Sequence, residues 1–344
     1  MMLLAGDIGG TKTRLGLFVK EDLRQPVRED VLPSADFDSL ESLCRQFLES
    51  GDGQDVIAAA ALGVPGPVVD GHAKTTNLPW EVDAERLGAG LDIETVQLFN
   101  DLVAVGRAIP LLSPEDVQTI MSGEVDDENA AGGEASPTDP VAIVAPGTGL
   151  GVAYGISGPE GYQVVASEGG HADFAPVGLL QEEMLSFLRE KFGRVSYERV
   201  CSGSGLPNIY EFLRTRGHAQ EPEWLSERMA DASDPTPIIV EAGLDEEQPC
   251  ELCRETLRVF AAVLGAKAGN EALTVVAIGG VYLAGGMPPR MLPAFEGKAF
   301  EEAFLGKGRM RRLLERVSVH VVVTPKAPLI GAACLGSDLL ARSS

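Results

Sequence analysis

The run G-D-I-G-G-T at residues 6–11 constrains the fold of this chain more than any other feature of its sequence. Apolar residues precede the run from Met2, and alternating apolar residues follow it from Leu15 to Val19. This pattern is typical of a strand, a tight turn and a second strand. Gly9 and Gly10 can adopt positive φ and carry no Cβ, so a ligand can approach the backbone at the turn.

The chemistry that this turn offers is the binding of phosphate oxygens. Bare backbone N–H groups at a glycine turn form an anion cradle, and Thr11 and Thr13 add hydroxyl donors. Asp7 adds a carboxylate that is suited to holding Mg²⁺ through water. Because two glycines also occur in ordinary hairpins, the turn alone leaves both interpretations open. The Walker pattern and a helix-opening G-x-G-x-x-G are absent from the sequence.

A second strand–turn–strand pattern follows in the middle of the chain. Val141–Val144 is apolar, the sequence P-G-T-G at 146–149 predicts a turn, and the chain returns at Gly151–Gly155. Two turns that each carry glycine and threonine suggest a duplicated architecture with a ligand held between the halves. Phosphate chemistry in this chain would use these two turns.

The remaining predicted elements are mixed in the first third of the chain and mostly helical after residue 178. Predicted strands lie near residues 2–8, 13–19, 56–64, 95–99, 162–166, 281–284 and 318–324. Predicted helices lie near residues 38–50, 101–108, 248–270 and 328–340. A length of 344 residues favours two domains, and Pro110 and Pro114 bound the predicted border. Residues 122–140, which are acidic and lack an apolar period, predict a surface loop without an assigned role.

Asn100 and Asp101 end the strand that is predicted at 95–99. Ligands collect beyond the carboxyl ends of strands in such sheets. One interpretation is that either residue caps the following helix. The other is that the carboxylate accepts the proton of an alcohol in phosphoryl transfer while the amide orients that alcohol. Spacing alone leaves both open.

Glu168 and His171 flank two glycines just after the strand predicted at 162–166, so both side chains could face one pocket. A carboxylate beside an imidazole can bind neighbouring hydroxyls of a sugar, whereas the alternative is a polar loop without a ligand. Glu198 could be a third carboxylate of such a site. Its local pattern alone favours a surface residue.

The charge and cysteine content exclude several classes of protein. Acidic residues number 51 and basic residues 28, which gives a formal net charge of −23 and a pI near 4.5. Such a chain repels nucleic acid. No apolar run approaches the roughly 18 residues of a membrane span, and no secretory signal is visible at the N-terminus. Five scattered cysteines predict a reducing cytoplasm.

Six motifs occur in an order that resembles the bacterial glucokinases of the actin, Hsp70 and hexokinase superfamily, in the group without a zinc site. They span nearly the whole chain and are G-D-I-G-G-T (6–11), L-F-N-D (98–101), P-G-T-G-L-G (146–151), S-E-G-G-H-A-D-F-A-P (167–176), S-Y-E-R-V-C-S-G-S-G-L (196–206) and G-G-V-Y-L-A-G-G (279–286). The resemblance implies an α/β protein with the two-lobed actin-like ATPase (ribonuclease H-like) fold. Each lobe would hold a mixed sheet flanked by helices.

The resemblance also implies a division of the chain into two lobes. A small lobe of residues 1–112 plus 328–344 would carry the first phosphate loop and the catalytic aspartate. A large lobe of residues 113–327 would carry the second phosphate loop, the E-G-G-H motif and the adenosine motif. The lobes of family members close over the sugar, and family members commonly form homodimers.

The same resemblance implies a role for each motif residue. Asp101 would be the base for the 6-hydroxyl of glucose. The sugar hydroxyls would be bound by Asn100, Asp101, Glu168, His171 and Glu198. The ATP site would comprise Gly6, Asp7, Gly9, Gly10, Thr11, Thr13, Gly147, Thr148, Gly149, Gly285 and Gly286. Asp7 would lie on the Mg²⁺ side. No zinc is expected, because no cysteine follows His171 until Cys201.

The function predicted from this resemblance is ATP-dependent phosphorylation of D-glucose at the entry to glycolysis, by a cytoplasmic enzyme. One alternative is a kinase for another hexose, or one that uses another donor such as polyphosphate. A basic groove would favour polyphosphate, and the net charge of −23 disfavours it. The other is a non-catalytic sugar sensor on the same fold. That protein would need a DNA-binding segment, which the same charge disfavours.

Overall fold

Each strand and helix that the sequence pattern predicts is observed, and further elements lie between them. The computed structural model describes residues 2–51, 56–74, 78–124, 139–158 and 161–343. Within these ranges the strands are β1 (Met2–Ile8), β2 (Lys12–Val19), β3 (Arg28–Pro33), β4 (Ile57–Val64), β5 (Val68–Val69), β6 (His72–Lys74), β7 (Glu81–Asp83), β8 (Thr95–Asn100), β9 (Val117–Met121), β10 (Val141–Pro146), β11 (Leu150–Gly158), β12 (Gly161–Ser167), β13 (Val281–Leu283) and β14 (Val319–Val322).

The helices of the same ranges follow mostly in the second half of the chain. They are α1 (Leu40–Glu49), α2 (Ala84–Leu91), α3 (Asp101–Ala108), α4 (Gly178–Phe192), α5 (Leu206–Thr215), α6 (Glu223–Ala230), α7 (Thr236–Leu244), α8 (Glu251–Val275), α9 (Leu292–Phe295), α10 (Lys298–Leu305), α11 (Arg311–Leu314) and α12 (Ala327–Ser343).

A mixed sheet organises the first of two compact units, which comprises Met1–Asp116, Glu160–Ala166 and Thr324–Ser344. Its strand order is β3-β2-β1-β4-β8. β1 and β2 are antiparallel, whereas β1, β4 and β8 are parallel to one another. The carboxyl ends of these three parallel strands therefore lie at one edge of the sheet, with Asp7 opposite Gly63 and Val64 opposite Asn100. β5, β6 and β7 form a separate small sheet.

The C-terminal helix α12 covers one face of this sheet. Leu329, Ala332 and Ala333 pack against buried side chains of β1 and β2, including Phe18. A Cβ on Gly331 would lie 1.6 Å from the carbonyl oxygen of Ala104 in α3, so only glycine allows α12 to approach α3 this closely. The small residues of α12 are thus explained by helix packing.

A second mixed sheet organises the other unit, Val117–Pro159 and Ser167–Val323. The strands that belong to this unit follow the order β11-β10-β13-β14-β9. β10 and β11 are antiparallel, with Pro146 opposite Leu150, and β10, β13 and β14 are parallel. Every residue of β10 is buried, as expected for the centre of a sheet that is covered on both faces. The long helix α8 packs against α5, α7 and α10 in the core of this unit.

The observed elements confirm the predicted secondary structure. The predicted strand at 95–99 is β8 and the predicted helix at 328–340 is α12, and the other predicted elements differ from the observed ones by a few residues at their ends.

The observed first unit extends to Asp116, because Arg24 donates to both Ser113 and Asp116. It also includes residues 160–166, where Tyr162 contacts Arg107.

Most of the predicted acidic loop at 122–140, from 125 to 138, lies outside the described residues. Among the helices that are described, none combines the length and the apolar content that crossing a bilayer requires.

Candidate active site

The first glycine turn joins β1 to β2 and depends on Gly9. The N–H of Gly9 donates to the carbonyl of Lys12 at 3.1 Å, which closes the turn. A Cβ on Gly9 would lie 2.5 Å from that same carbonyl oxygen. Gly9 does not adopt positive φ, so its lack of a side chain is required by a close backbone contact rather than by a left-handed conformation. Gly10 is half-buried, and Thr11 is exposed at the tip.

Behind this turn, Thr13 and Ser34 form a hydroxyl brace. Thr13 is fully buried, and its hydroxyl lies 3.0 Å from the Ser34 hydroxyl. Ser34 in turn donates to the carbonyl of Gly9 at 2.7 Å. Thr13, which the sequence suggests as an ATP ligand, thus faces the core and supports the turn from within. Gly6 is also internal, since a Cβ there would meet Leu62 at 2.6 Å.

Asp7 lies near the end of β1 and is an electrostatically unusual carboxyl group. Burial, followed by the negative charge of Asp101, raises the pKa of Asp7 to about 6, and Arg14 opposes this shift. Two carboxylates close together in a partly buried place repel each other and attract a cation. Oxygen donors of this kind are the ligands that Mg²⁺ prefers, with water completing its shell. Asp7 therefore has the oxygen donors that a water-mediated magnesium site would use.

Asn100 and Asp101 lie where β8 ends and α3 begins. Asn100 is the N-cap, because its side-chain oxygen accepts the Leu102 N–H at 3.1 Å, and its amide donates to Gly66 at 3.1 Å. Both ends of this amide therefore hold the local backbone. Asp101 Oδ1 accepts from the same Leu102 N–H at 2.9 Å. Burial raises the pKa of Asp101, and the bond from Leu102 counteracts part of this shift.

The second glycine turn joins β10 to β11. The N–H of Gly147 donates to the carbonyl of Gly149 at 2.9 Å, and the carbonyl of Gly147 accepts from Gly203 at 2.7 Å. Thr148 is exposed. A Cβ on Gly147 would meet no atom within 4 Å, so space at this position is open to a ligand.

Glu198 connects this turn to the E-G-G-H segment. Its Oε2 accepts the backbone N–H of Leu150 at 3.0 Å, and a Cβ on Gly149 would lie 2.6 Å from the same oxygen. Its Oε1 lies 3.8 Å from Nδ1 of His171. Only 26% of the Glu198 side chain is exposed, although its local sequence pattern favours a surface residue. The carboxylate is thus fixed at one oxygen and directed at His171 with the other.

Glu168 and His171 are brought together by a short 3₁₀ turn over Gly169–His171. Nε2 of His171 lies 3.8 Å from Oε2 of Glu168, so the imidazole stands between two carboxylates. Gly170 is required here, because a Cβ would lie 1.9 Å from the carbonyl oxygen of Leu150. The Glu168 side chain is 81% exposed and that of His171 is 55% exposed, which leaves both accessible to a sugar.

A cavity of about 820 Å³ opens beside the second turn within the same unit. Its walls include Thr148, Ser204, Thr236, Gly286 and Met287. Such a volume suits a nucleoside. The neighbouring Gly285 adopts φ +84°, and a Cβ there would lie 2.7 Å from the carbonyl oxygen of Pro146. Both the positive φ and the close backbone contact therefore require glycine at this position.

Several residues that support the site could not be identified from the sequence, among them Ser34, Thr236 and Lys267. Ser34 and Thr236 carry no local motif, and only the three-dimensional fold shows that they touch Gly9 and Gly203. Lys267 has a weak signal, because it stands four residues before Glu271 in a helix that is otherwise uncharged at that point. A buried lysine on such a helix needs a specific partner.

Comparison with known proteins agrees with these features. The family model described as Glucokinase matches residues 4–339. A glucokinase of Trichormus variabilis is 40% identical over 352 residues, covering 98% of this chain and 99% of that protein. The crystal structure of a glucokinase from an Antarctic psychrotroph superimposes with a TM-score of 0.82 at 31% identity, covering 98% of this chain and 99% of the other.

A more distant structure shares the fold. It is a ROK family glucokinase from Streptomyces griseus in complex with glucose and AMPPNP, with a TM-score of 0.62 at 20% identity, covering 98% of this chain and 100% of the other.

Proposed function

This chain belongs to the glucokinase family, and we propose that it phosphorylates glucose with ATP by using Asp101 as the base for the 6-hydroxyl. The chain is a sugar kinase with the actin-like ATPase fold of its relatives. The reaction transfers the γ-phosphoryl group of ATP to glucose and yields glucose 6-phosphate and ADP. The residue roles below are part of the proposal.

The placement of Asp101 is the observation that carries this proposal. It begins α3 at the edge where β1, β4 and β8 end, and its Oδ1 is held by the Leu102 N–H. Its raised pKa makes it a stronger base than an ordinary carboxylate. As the 6-oxygen attacks the γ-phosphorus, the hydroxyl proton passes to Asp101, and the bond between that phosphorus and the β–γ bridging oxygen breaks to release ADP.

The sugar is assigned to Glu168, His171 and Glu198 together with Asn100 and Asp101. Carboxylates and an imidazole offer acceptors and donors to adjacent hydroxyls, and bonds of this kind to charged groups are the strong ones. The mutual spacing of 3.8 Å on each side of His171 supports this assignment. Asn100 would contribute through the amide hydrogen and lone pair that its backbone bonds leave free.

ATP is assigned to the two glycine turns and the cavity beside the second one. Backbone N–H groups at Gly9, Gly10 and Thr11 would bind outer phosphates, as would those at residues 147–149. The adenosine would enter the cavity that Gly286 and Met287 line. Asp7 would hold Mg²⁺ through water, and the bound ion would neutralise charge that develops on the phosphates.

The cellular setting and assembly also belong to the proposal. All five cysteines are free and buried, which suits a reducing cytoplasm. The family resemblance suggests a homodimer, and light scattering at micromolar concentration would test it.

The test is a coupled assay of sugar 6-phosphate with ATP, Mg²⁺ and a panel of hexoses. Asp101→Ala is expected to lower kcat at least about a hundredfold, the low end for loss of a general base. Asp83→Ala is the matched control, since Asp83 caps α2 in the same unit through the N–H groups of Glu85 and Arg86. Near-normal turnover of Asp101→Ala would refute the assignment of the base.

Two further variants test the sugar assignment. Glu168→Ala and His171→Ala are expected to raise the KM for glucose while kcat changes less. An unchanged KM in both would place the sugar elsewhere. Faster turnover of another hexose would leave the mechanism intact and change the substrate.

A further inference from the structure

Helix α8 carries two buried charges that the proposed reaction does not use. Between Val259 and Ala272, Lys267 and Glu271 are the only charged residues. Lys267 is 2% exposed and Glu271 is 5% exposed, and the two form an ion pair one turn apart. Removing two charges from water is costly, and apolar side chains would often stabilise such a position as well or better. The pair therefore calls for an explanation other than stability.

Lys267 reaches the segment that carries the proposed sugar ligands. Its Nζ donates to the carbonyl oxygen of Gly169 at 2.8 Å. Gly169 lies between Glu168 and His171, so this bond fixes the main chain between the two side chains. The same Nζ lies 4.7 Å from the ring centroid of Tyr197, where a cation–π contact adds to its stabilisation.

Glu271 reaches the same glycine by a second route. Its carboxylate accepts a hydrogen bond from the Tyr154 hydroxyl. Tyr154 is also hydrogen-bonded to the side chain of Ser167, whose hydroxyl accepts the N–H of Gly169 at 3.1 Å. Lys267, Gly169, Ser167, Tyr154 and Glu271 thus form a closed ring of polar contacts. Both the N–H and the C=O of Gly169 belong to it.

A third residue on this helix face holds the segment of the other sugar ligand. Asn270 donates to the hydroxyl of Tyr197 at 3.0 Å, and Tyr197 directly precedes Glu198. Lys307 donates to the side-chain oxygen of Asn270 at 2.7 Å, which fixes the orientation of that amide. One face of α8 therefore contacts both segments that carry Glu168, His171 and Glu198.

We propose that Lys267 and Glu271 are positioning residues for glucose, which hold Gly169 so that Glu168 and His171 are preorganised for the sugar. This inference rests on the proposed function of those two residues. A loop that is fixed before binding loses less conformational entropy when the ligand arrives. Loss of the ring therefore raises the KM for glucose, whereas the ATP turns, which the ring does not contact, keep their affinity.

The decisive variant is the double replacement Lys267→Met with Glu271→Leu. It removes both charges at similar volume, so neither charge is left buried without its partner. We expect a Tm within about 5 °C of wild type, a glucose KM raised about tenfold, and an ATP KM within about twofold. If this variant folds and its glucose KM equals that of wild type, the ion pair serves packing alone and the proposal is overturned.

A second variant keeps the test valid if the double replacement fails to fold. Tyr154→Phe removes one hydroxyl from the ring and retains the ion pair, and it is expected to raise the glucose KM about threefold. Lys191→Met is the control, because Lys191 bonds to Asn208 and Glu211 in the same unit and not to the sugar segment. An equal rise in the control, or none in Tyr154→Phe, would contradict the proposal.

His171→Ala, measured in parallel, separates this inference from the proposed function. If His171→Ala raises the glucose KM and both ring variants do not, the positioning role is refuted and the sugar site stands. If His171→Ala also leaves the KM unchanged, the sugar assignment fails and the positioning role fails with it.

Discussion

The two glycine turns resemble each other in sequence and strand connection, but they are supported in different ways. The first is closed by Gly9 and Lys12 and is braced by neutral hydroxyls, with Ser34 donating to Gly9 at 2.7 Å. The second is supported by a carboxylate, since Glu198 accepts the N–H of Leu150 at 3.0 Å. Uncharged groups thus hold one turn, whereas a proposed sugar ligand holds the other.

Two turns of similar sequence can therefore be coupled to the proposed site residues by different kinds of interaction. In the first unit, burial raises the pKa of Asp7, and the negative charge of Asp101 raises it further. In the second unit, Glu198 influences both the turn and His171 through direct contact. The second turn and the sugar ligands should therefore respond together to one substitution, and the first turn should respond separately from the sugar.

The largest expected effect comes from Glu198→Ala, which would remove both contacts of the carboxylate. A hydrogen bond to a charged group contributes about 1.5–3 kcal/mol, so losing one to Leu150 and one to a sugar hydroxyl should lower kcat/KM at least about a hundredfold. We expect the KM values of both glucose and ATP to rise, because the sugar ligand and the turn are lost together. Glu198→Gln retains an acceptor for Leu150 and should raise chiefly the glucose KM. Steady-state kinetics with each substrate varied would measure this.

Ser34→Ala is the corresponding change at the first turn. It removes a neutral donor to Gly9 and is expected to raise the ATP KM a few fold while the glucose KM stays unchanged. If Glu198→Ala raised the glucose KM alone, or if Ser34→Ala raised the KM values of both glucose and ATP, the proposed difference between the turns would be contradicted.

The next effect is a pH-dependent gain of stability in Asp7→Asn. The folded-state pKa of Asp7 is about 6 against an ordinary value of 3.8. Between these values the folded protein binds more protons than the unfolded chain, so this group's contribution to stability falls as pH rises through that window. Asn removes the penalty, and we expect Asp7→Asn to be more stable by about 2–3 kcal/mol above pH ~7.

The difference between Asp7→Asn and wild type should disappear near pH 4, where Asp7 is protonated in the folded protein. Urea unfolding at both pH values, without Mg²⁺, would measure it. If Asp7→Asn and wild type were equally stable at both pH values, the pKa of Asp7 would not be raised in the folded protein, and the electrostatic half of the comparison would fail.

The last comparison concerns the backbones of the two turns. Gly9→Ala places a Cβ 2.5 Å from the Lys12 carbonyl oxygen, whereas Gly147→Ala places one in open space. We expect Gly9→Ala to lower the free energy of unfolding by about 1–2 kcal/mol and Gly147→Ala to change it by less than about 0.5 kcal/mol. Thermal unfolding without ligands would test this, and similar losses in both would show that the turns are equally crowded.

Sequence alone predicts the elements of both hairpins because alternation of apolar residues and glycine turns are local signals. It also predicts the position of Asp101, since a strand end followed by a helix start is readable from a few residues. Of the two interpretations of Asn100, the structure confirms the helix cap, because the side chain accepts a hydrogen bond at the start of α3. Its contact with a sugar stays a prediction.

Contacts between distant segments could not be predicted in this way. Thr13 faces inward because Ser34, which is 21 residues away, lies behind it. Glu198 has a local pattern of a surface residue, and its burial depends on β11 passing beside it. Lys267 bonds to a carbonyl 98 residues away in sequence. Each of these depends on tertiary packing, for which the sequence offers no periodic signal.

The position of α12 in the first unit has a consequence for synthesis on the ribosome. The sheet residues that α12 covers are translated within the first part of the chain, but α12 begins at Ala327. At about 5–20 residues per second, roughly 10–40 s separate the end of the first segment from the arrival of this helix. During that interval the apolar face around Phe18 lacks its cover. The nascent chain must therefore shield this surface, or rely on a chaperone, until α12 leaves the exit tunnel.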